Sequence, residues 1–285
     1  MLKNTFCHIP SVGVKTEAGL WKAGVATWED YLALDPSELK ELGVPRLPSP
    51  ERMRGHLRES GERHSQGDPA FFAEKLPNSE VWRLYGEYKD SMACVDIETT
   101  GLGQGDDHIT TIALYDGRSV RTYVYGRNLE EFLDDVRNYK LLVTFNGKCF
   151  DVPFIERSLD TRLDMAHMDL RFVLKAAGVT GGLKKCEKHF GLDRGDLDGV
   201  DGYWAVLLWK EFLMSHDERV LETLLAYNVE DVLSLHILAA RAYNMLLDGT
   251  PFYLSHQVCV PEPGKNPFSA APEVIQRIGE RYFHY

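Results

Sequence analysis

Hydrophobic and polar positions along this chain change their rhythm near residue 91. Before it, helix starts are marked: Asp35-Pro36, Ser49-Pro50 and Asp68-Pro69 each put a capping side chain ahead of a proline at the first helical position. Helices are expected near Ser37–Leu42, Glu51–Arg63 and Ala70–Leu76, and another over Ser79–Tyr88 with Val81, Trp82, Leu84 and Tyr85 as its apolar side. After it, strand patterns take over at Ala93–Ile97, Ile109–Leu114 and Ser119–Tyr125, with Asp116-Gly117 as a hairpin turn between the last two. Leu129–Tyr139 reads as an amphipathic helix (Leu129, Phe132, Leu133, Val136), Leu141–Phe145 as a strand, Phe150–Leu159 as a helix and His167–Asp169 as a short strand. Helices near Arg171–Ala177, Leu183–His189, Tyr203–Met214 and Glu218–Leu247 complete the body. Three hairpin-linked strands followed by alternating helix and strand predict an α/β fold with a mixed sheet flanked by helices. The expected organisation is a helical region over 1–90, the α/β body over 91–250 and an extension over 251–285. The stretch Phe252–Tyr285 of that extension, with four prolines and an amphipathic segment Glu273–Phe283, is expected to wrap the body.

Composition narrows the class. The 285 residues are 44% hydrophobic and 26% charged, a globular balance with enough apolar material for a real core. No stretch is apolar and long enough to span a bilayer, and Met1-Leu2-Lys3-Asn4-Thr5 leads into no signal-peptide core, so a cytoplasmic location is expected. Cys7, Cys94, Cys149, Cys186 and Cys259 are dispersed, which suggests neither a disulfide framework nor a structural zinc site. A net charge of −11 argues against a protein that coats nucleic acid nonspecifically, but not against an enzyme that grips a few phosphates through local lysines and metals.

The chemistry begins in Ala93-Cys94-Val95-Asp96-Ile97-Glu98-Thr99-Thr100-Gly101-Leu102. Side chains alternate along a strand, so Asp96 and Glu98 share one face while Val95 and Ile97 enter a core. Two carboxylates that close repel, and one would protonate unless a cation lies between them, which makes a divalent metal the economical explanation. Downstream, Thr144-Phe145-Asn146-Gly147-Lys148-Cys149-Phe150-Asp151 places Asp151 where a strand ends and a helix begins. In Tyr227-Asn228-Val229-Glu230-Asp231 the i,i+4 spacing puts Tyr227 and Asp231 on one helix face.

Asp96-Ile97-Glu98-Thr99, Asn146-x-x-x-Phe150-Asp151 and Tyr227-x-x-x-Asp231 resemble the three exonuclease motifs of the DEDD superfamily, in its tyrosine-bearing variant. Family B DNA polymerase proofreading domains carry the same three. Phe6, His8-Ile9-Pro10 and Leu20-Trp21, with Val232-Leu233-Ser234-Leu235, resemble a YprB-like bacterial group, although that group's pattern has histidine where Tyr227 stands. The resemblance implies a ribonuclease-H-like fold and a metal-dependent 3′→5′ exonuclease acting on nucleic-acid ends, single-stranded DNA above all, with two Mg²⁺ or Mn²⁺ ions. It implies that Asp96 bridges both ions, that Glu98 and Asp231 help hold the water-activating one, and that Asp151 holds the other through water. Hard carboxylate oxygens suit these cations rather than zinc. Tyr227, with a reference pKa of about 10, would orient the attacking water rather than deprotonate it. Thr99, Leu102, Asn146 and Phe150 would lie along the substrate. Two alternatives stand: an exoribonuclease, since discrimination rests on contacts to the 2′-OH, and a non-catalytic nucleic-acid-binding protein that retains the fold.

Other residues carry two readings each. The segment Phe6–Val25 resembles a helix-hairpin-helix element, whose turn aims backbone N–H groups at a phosphate. Here Ser11 replaces the first glycine, and the turn reads equally as a structural cap packed through Leu20 and Trp21. Arg52, Arg54, Arg58, Arg63 and His64 are interleaved with glutamates and read as a solvated face. Lys184, Lys185 and Lys188 either meet a phosphodiester backbone or, with Glu187 among them, form another solvated face. Asp106, Asp107 and His108 suggest a metal cluster by composition and a loop cap by position, Asp169 reads as structural, and Trp204 and Trp209 read as core.

Overall fold

The computed structural model describes residues 1–102, 105–197 and 199–283. Among these residues five strands form one sheet in the order β3-β2-β1-β4-β5. These are β1 (Met92–Thr99), β2 (Ile109–Tyr115), β3 (Val120–Val124), β4 (Leu141–Thr144) and β5 (Ala166–Asp169). β1 is central, antiparallel to β2 and parallel to β4, and β3 and β5 are the edges. The mixed α/β sheet is therefore as expected. Parallel β1 and β4 demand a crossover, and β4 and β5 another, which is why helices interrupt the strands only after β3.

Fourteen helices surround the sheet among the described residues. The N-terminal region holds α1 (Val14–Lys22), α2 (Trp28–Ala33), α3 (Pro36–Glu41), α4 (Pro50–Ser65), α5 (Pro69–Lys75) and α6 (Tyr85–Tyr88). Asp35 and Asp68 cap their helices through the N–H groups of Ser37, Glu38 and Phe71, whereas Ser49 makes no side-chain cap bond. Between the strands lie α7 (Phe132–Val136) and α8 (Asp151–Ser158), and after them α9 (Leu170–Ala176), α10 (Leu183–His189), α11 (Gly202–Ser215), α12 (Glu218–Asp248), α13 (Tyr253–His256) and α14 (Pro272–Phe283).

Two expected helices differ. Ser79–Tyr88 is a 3₁₀ helix over Asn78–Leu84 that passes into α6. Its apolar residues recur every third position (Val81 and Leu84; Trp82, Tyr85 and Tyr88), a period suited to three residues per turn, and all five are buried. Leu129–Tyr139 is a 3₁₀ turn followed by the short α7. Asn138 Nδ2 caps the carbonyls of Asp134 and Asp135, and the Tyr139 hydroxyl is drawn outward between Arg121 and Asp116. Arg54 and His64 are also less solvated than expected: Arg54 donates to the carbonyls of Leu32 and Leu34, and His64 lies 2.7 Å from Glu87.

The alternation read in β1 partitions the core. Ala93, Val95 and Ile97 pack with Phe132, Val136, Phe154 and Ile155 on one face. Cys94 faces the opposite side, in a cluster shared by α12, α9 and the N-terminal region. The extension lies along α12: Asn266 donates to the Ala226 carbonyl and the Ala271 N–H to Thr223, while Val274 and Ile278 are buried with Leu221, Trp209 and Tyr227. Residues 284 and 285 lie outside the described residues.

Candidate metal and phosphate site

Beyond Cys94, the same face of β1 carries Asp96 and Glu98 at the end of the strand where α12 crosses. A register irregularity between Glu98 and Thr99 ends the regular pairing with β2 at this point. One carboxylate oxygen from each of Asp96, Glu98 and Asp231 lies within 4.8 Å of the others. Glu98 and Asp231 are buried and Asp96 is half-buried. Asp231 comes from the middle of α12, with Tyr227 one turn before it and buried.

Asp151 reaches the site from the second segment. β4 ends at Thr144, and Asn146 takes a left-handed conformation (φ 66°). A Cβ at Gly147 would fall on the Thr144 side chain, so the turn needs glycine there. The Asp169 carboxylate accepts the N–H groups of Asn146 (2.8 Å), Lys148 (3.1 Å) and Arg171 (3.0 Å), which fixes the turn and supports the structural reading of Asp169. Asp151 then opens α8, and its Oδ1 accepts the Ile97 N–H of β1 at 3.3 Å.

Electrostatically the site is unbalanced. Burial raises the Asp96 and Glu98 carboxyls well above the usual range, and Asp231 and Asp151 push both further. Burial raises Asp151 to about 7 against two backbone N–H bonds that lower it. Asp231 reaches about 6, burial outweighing the adjacent Arg194. The Tyr227 phenol is held above its ordinary value by burial and then by Asp231, Glu98 and Asp96, so it is protonated at neutral pH and able to donate or accept a hydrogen bond.

Asn228, Arg194 and Glu187 were not legible as site residues, whereas Lys184 was one of the lysines read as meeting a phosphodiester backbone or a solvated face. Asn228 Nδ2 donates to Asp96 Oδ2 (2.8 Å) and to the Asp96 carbonyl (3.2 Å), while its Oδ1 accepts from Thr111 Oγ1 (3.0 Å). Arg194, from the segment after α10, donates to Asp231 and to both oxygens of Glu187. Glu187 is buried, so it does not belong to a solvated face. Lys184 Nζ lies 5.0 Å from the Tyr227 ring centroid and donates to the Val200 carbonyl, placing it at the cleft.

The remaining expected residues fall around this centre. Thr99 is buried and its Oγ1 donates to the Gly101 carbonyl, whereas Leu102 is 84% exposed. Asn146 accepts from Arg171, and the half-buried Phe150 leans on Phe154 with ring centroids 5.6 Å apart. Asp107 is bonded by Thr100 Oγ1, whose oxygen also accepts the His108 N–H, as a loop cap would require. Trp209 is core and Trp204 packs against it.

The donor set is all carboxylate, hard and crowded, and one guanidinium is its principal counter-charge; such a set fits a divalent cation of the Mg²⁺ or Mn²⁺ kind. Over 173 residues the chain is 30% identical to the uncharacterized protein YprB of Bacillus subtilis (strain 168), a match that takes in 53% of this chain and 41% of that protein. A family B DNA polymerase from the hyperthermophilic archaeon Pyrobaculum calidifontis is similar at 16% identity and a TM-score of 0.43, covering 59% of this chain and 27% of the polymerase. This chain thus spans less than half of either protein. The RNase_H_2 family matches residues 93–243, from Ala93 in β1 to Tyr243 in α12. With more than half of its length in that match, the chain belongs to the RNase_H superfamily.

Proposed function

We propose that this nuclease-like protein is a metal-dependent 3′→5′ exonuclease that hydrolyses phosphodiester bonds at nucleic-acid ends, with single-stranded DNA as substrate. The observation that carries the proposal is the meeting of Asp96, Glu98 and Asp231 within 4.8 Å, with Tyr227 one turn from Asp231. Asp151, tied to β1 through Ile97, completes the set. Asp96, Glu98, Asp151 and Asp231 would hold two Mg²⁺ or Mn²⁺ ions. Bound there, such ions lower the pKa of water and neutralise charge on the phosphate and the departing oxygen.

The protein's own groups account for the rest. Asn228 fixes the Asp96 carboxylate so that its second oxygen remains available. Tyr227, protonated at neutral pH, orients the attacking water by a hydrogen bond. In the reaction a water oxygen bonds to phosphorus as the bond from phosphorus to the 3′-oxygen breaks. The water proton leaves to solvent, the 3′-oxygen takes up a proton, and a nucleoside 5′-monophosphate departs. Exposed Leu102, three residues after the end of β1, is suited to pack on the terminal base. The hairpin before α1, with Ser11 in a left-handed conformation (φ 71°) and Ser11, Gly13 and Lys15 exposed, supports a DNA-backbone contact away from the cleft. The five cysteines, all free, support a cytoplasmic site of action, and no helix among the described residues is long and apolar enough to cross a membrane.

The test is digestion of matched DNA and RNA oligonucleotides, labelled at the 5′ or 3′ end, with Mn²⁺, Mg²⁺ or EDTA. A ladder of 5′-labelled DNA products shortened from the 3′ end, dependent on metal, is expected. Undiminished digestion in EDTA would sink the metal reading, and preference for RNA would replace the substrate assignment.

A further inference from the structure

Arg194 is built as more than a counter-charge. A guanidinium is planar and offers its N–H groups along fixed edges. Its Nε and Nη2 lie 2.6 Å from the two Glu187 oxygens, so that one edge is fully taken by a carboxylate that is itself 1% exposed. The second hydrogen of Nη2 turns to Asp231. Nη1 shares that outer edge, next to the Asp231 carboxylate, and it is buried without a hydrogen-bond partner. The side chain as a whole is 5% exposed, with its Cζ 5.8 Å from the Tyr227 ring centroid. A buried guanidinium N–H that has lost water and gained nothing costs free energy, so the fold retains it against a penalty. The same arginine also acts on Glu98, across the cleft from Asp231.

We propose that Arg194 is a catalytic residue whose Nη1 donates to a non-bridging oxygen of the scissile phosphate, and that Glu187 is the positioning residue that aims it. An anionic oxygen is the partner the free N–H lacks, and a planar fork already clamped on one edge offers it without further ordering. The contact rests on the nuclease reading above. It adds to that reading a protein cation that would stabilise charge on the phosphate independently of the metals.

The test uses the full chain. Arg194→Met alone would leave Glu187 buried and unpaired, so the informative variant is Arg194→Met combined with Glu187→Met, which replaces the pair by apolar groups of similar reach. Arg194→Lys provides a second variant that keeps the charge but loses the fork. Single-turnover cleavage of a DNA oligonucleotide and Mn²⁺ affinity by calorimetry are measured on each, with circular dichroism as the check on folding. Loss of one charge-assisted contact predicts a fall in rate of roughly 10- to 100-fold for the double variant, with Mn²⁺ affinity kept. Arg194→Lys should fall between it and the parent, and added guanidinium should restore part of the lost rate. A methylphosphonate at the terminal linkage, neutral where the phosphate is charged, should slow the parent more than the double variant. Cleavage by the double variant at the parental rate would overturn the assignment and leave Arg194 as a counter-charge of Asp231. Tighter Mn²⁺ binding with equal or faster cleavage would overturn it too, in favour of an arginine that obstructs the metal. Absence of cleavage by the parent itself would sink the nuclease reading and this proposal together, so the two failures are told apart.

Discussion

Two regions of this molecule bury acidic side chains, and they treat them differently. In the N-terminal region Glu17 is fully buried, yet one of its oxygens accepts the N–H groups of Phe6 (2.5 Å) and Cys7 (3.1 Å) while the other lies 2.8 Å from Arg83. Arg83 turns its remaining edge to Glu80. That cluster ties the first residues to the segment that leads into the sheet. At the cleft, four carboxylates from three segments converge with Arg194 as the closely paired cation among the described residues, and Arg194 is itself held by a fifth, Glu187. The first site is balanced in charge within the chain, although Glu17 Oε1 meets Arg83 as an ion pair without a well-aligned hydrogen bond. The second leaves a demand for positive charge that the chain does not meet, the signature of a place made for something else.

The comparison breaks most visibly at Asp96. Asp96→Ala should reduce single-turnover cleavage by roughly 10⁴-fold, about 5.5 kcal/mol, while the melting temperature in EDTA stays level or rises, because a repelling charge is removed. A large fall in stability with cleavage intact would mean that the cleft is as structural as the Glu17 site. Arg83→Met is the mirror experiment: it leaves Glu17 buried and unpaired and should destabilise the fold by about 3–5 kcal/mol in urea unfolding. Unchanged stability there would remove the contrast.

Tyr227→Phe is gentler. If the phenol only orients water, deletion costs roughly one to two orders of magnitude in rate, about 1.4–2.8 kcal/mol. A variant as inactive as Asp96→Ala would make the phenol more than an orienting group, and a fully active one would exclude it from the site. The smallest effect concerns pH. Asp151 at about 7 and Asp231 at about 6 both stand above the ordinary value of 3.8, so the folded chain keeps protons that the unfolded chain has released over that window. Their contribution favours the metal-free fold at low pH and is lost as pH rises towards 6 and 7. A metal needs those groups deprotonated, so the rise in melting temperature on adding Mn²⁺ should grow from about pH 5 to about pH 8, by about 2–4 °C per kcal/mol. A Mn²⁺ effect independent of pH would place the metal elsewhere.

What the sequence disclosed and what it withheld follow from the range of the signals. Asp96 and Glu98 were legible because a strand repeats every second residue, and Tyr227 and Asp231 because a helix repeats every fourth. The order of hairpins and crossovers was legible from turn residues and apolar runs. Glu187 was misread because its lysine neighbours mark an exposed face, and only the folded chain shows that it points inward to Arg194. Arg194 itself lies in a segment without periodicity, and its approach to Asp231 spans 37 positions. Asn228 sat inside a recognised motif, but its bonds to Asp96 and Thr111 exist only once α12 crosses the sheet.

That crossing has a mechanical side. α12 runs for 31 residues, about 46 Å, and carries Asp231 in its middle and Tyr243 further along, where the Tyr243 ring wedges against Trp82 and Tyr85 of the N-terminal region at 5.6 Å. The helix is a screw with a fixed pitch, and its two loads are set about 18 Å apart along the axis and about 120° apart around it. Inserting or deleting one residue between them would turn one end by about 100° relative to the other, so the acidic cleft and the aromatic wedge could not both be seated. The segment between Asp231 and Tyr243 can therefore change its side chains far more readily than its length.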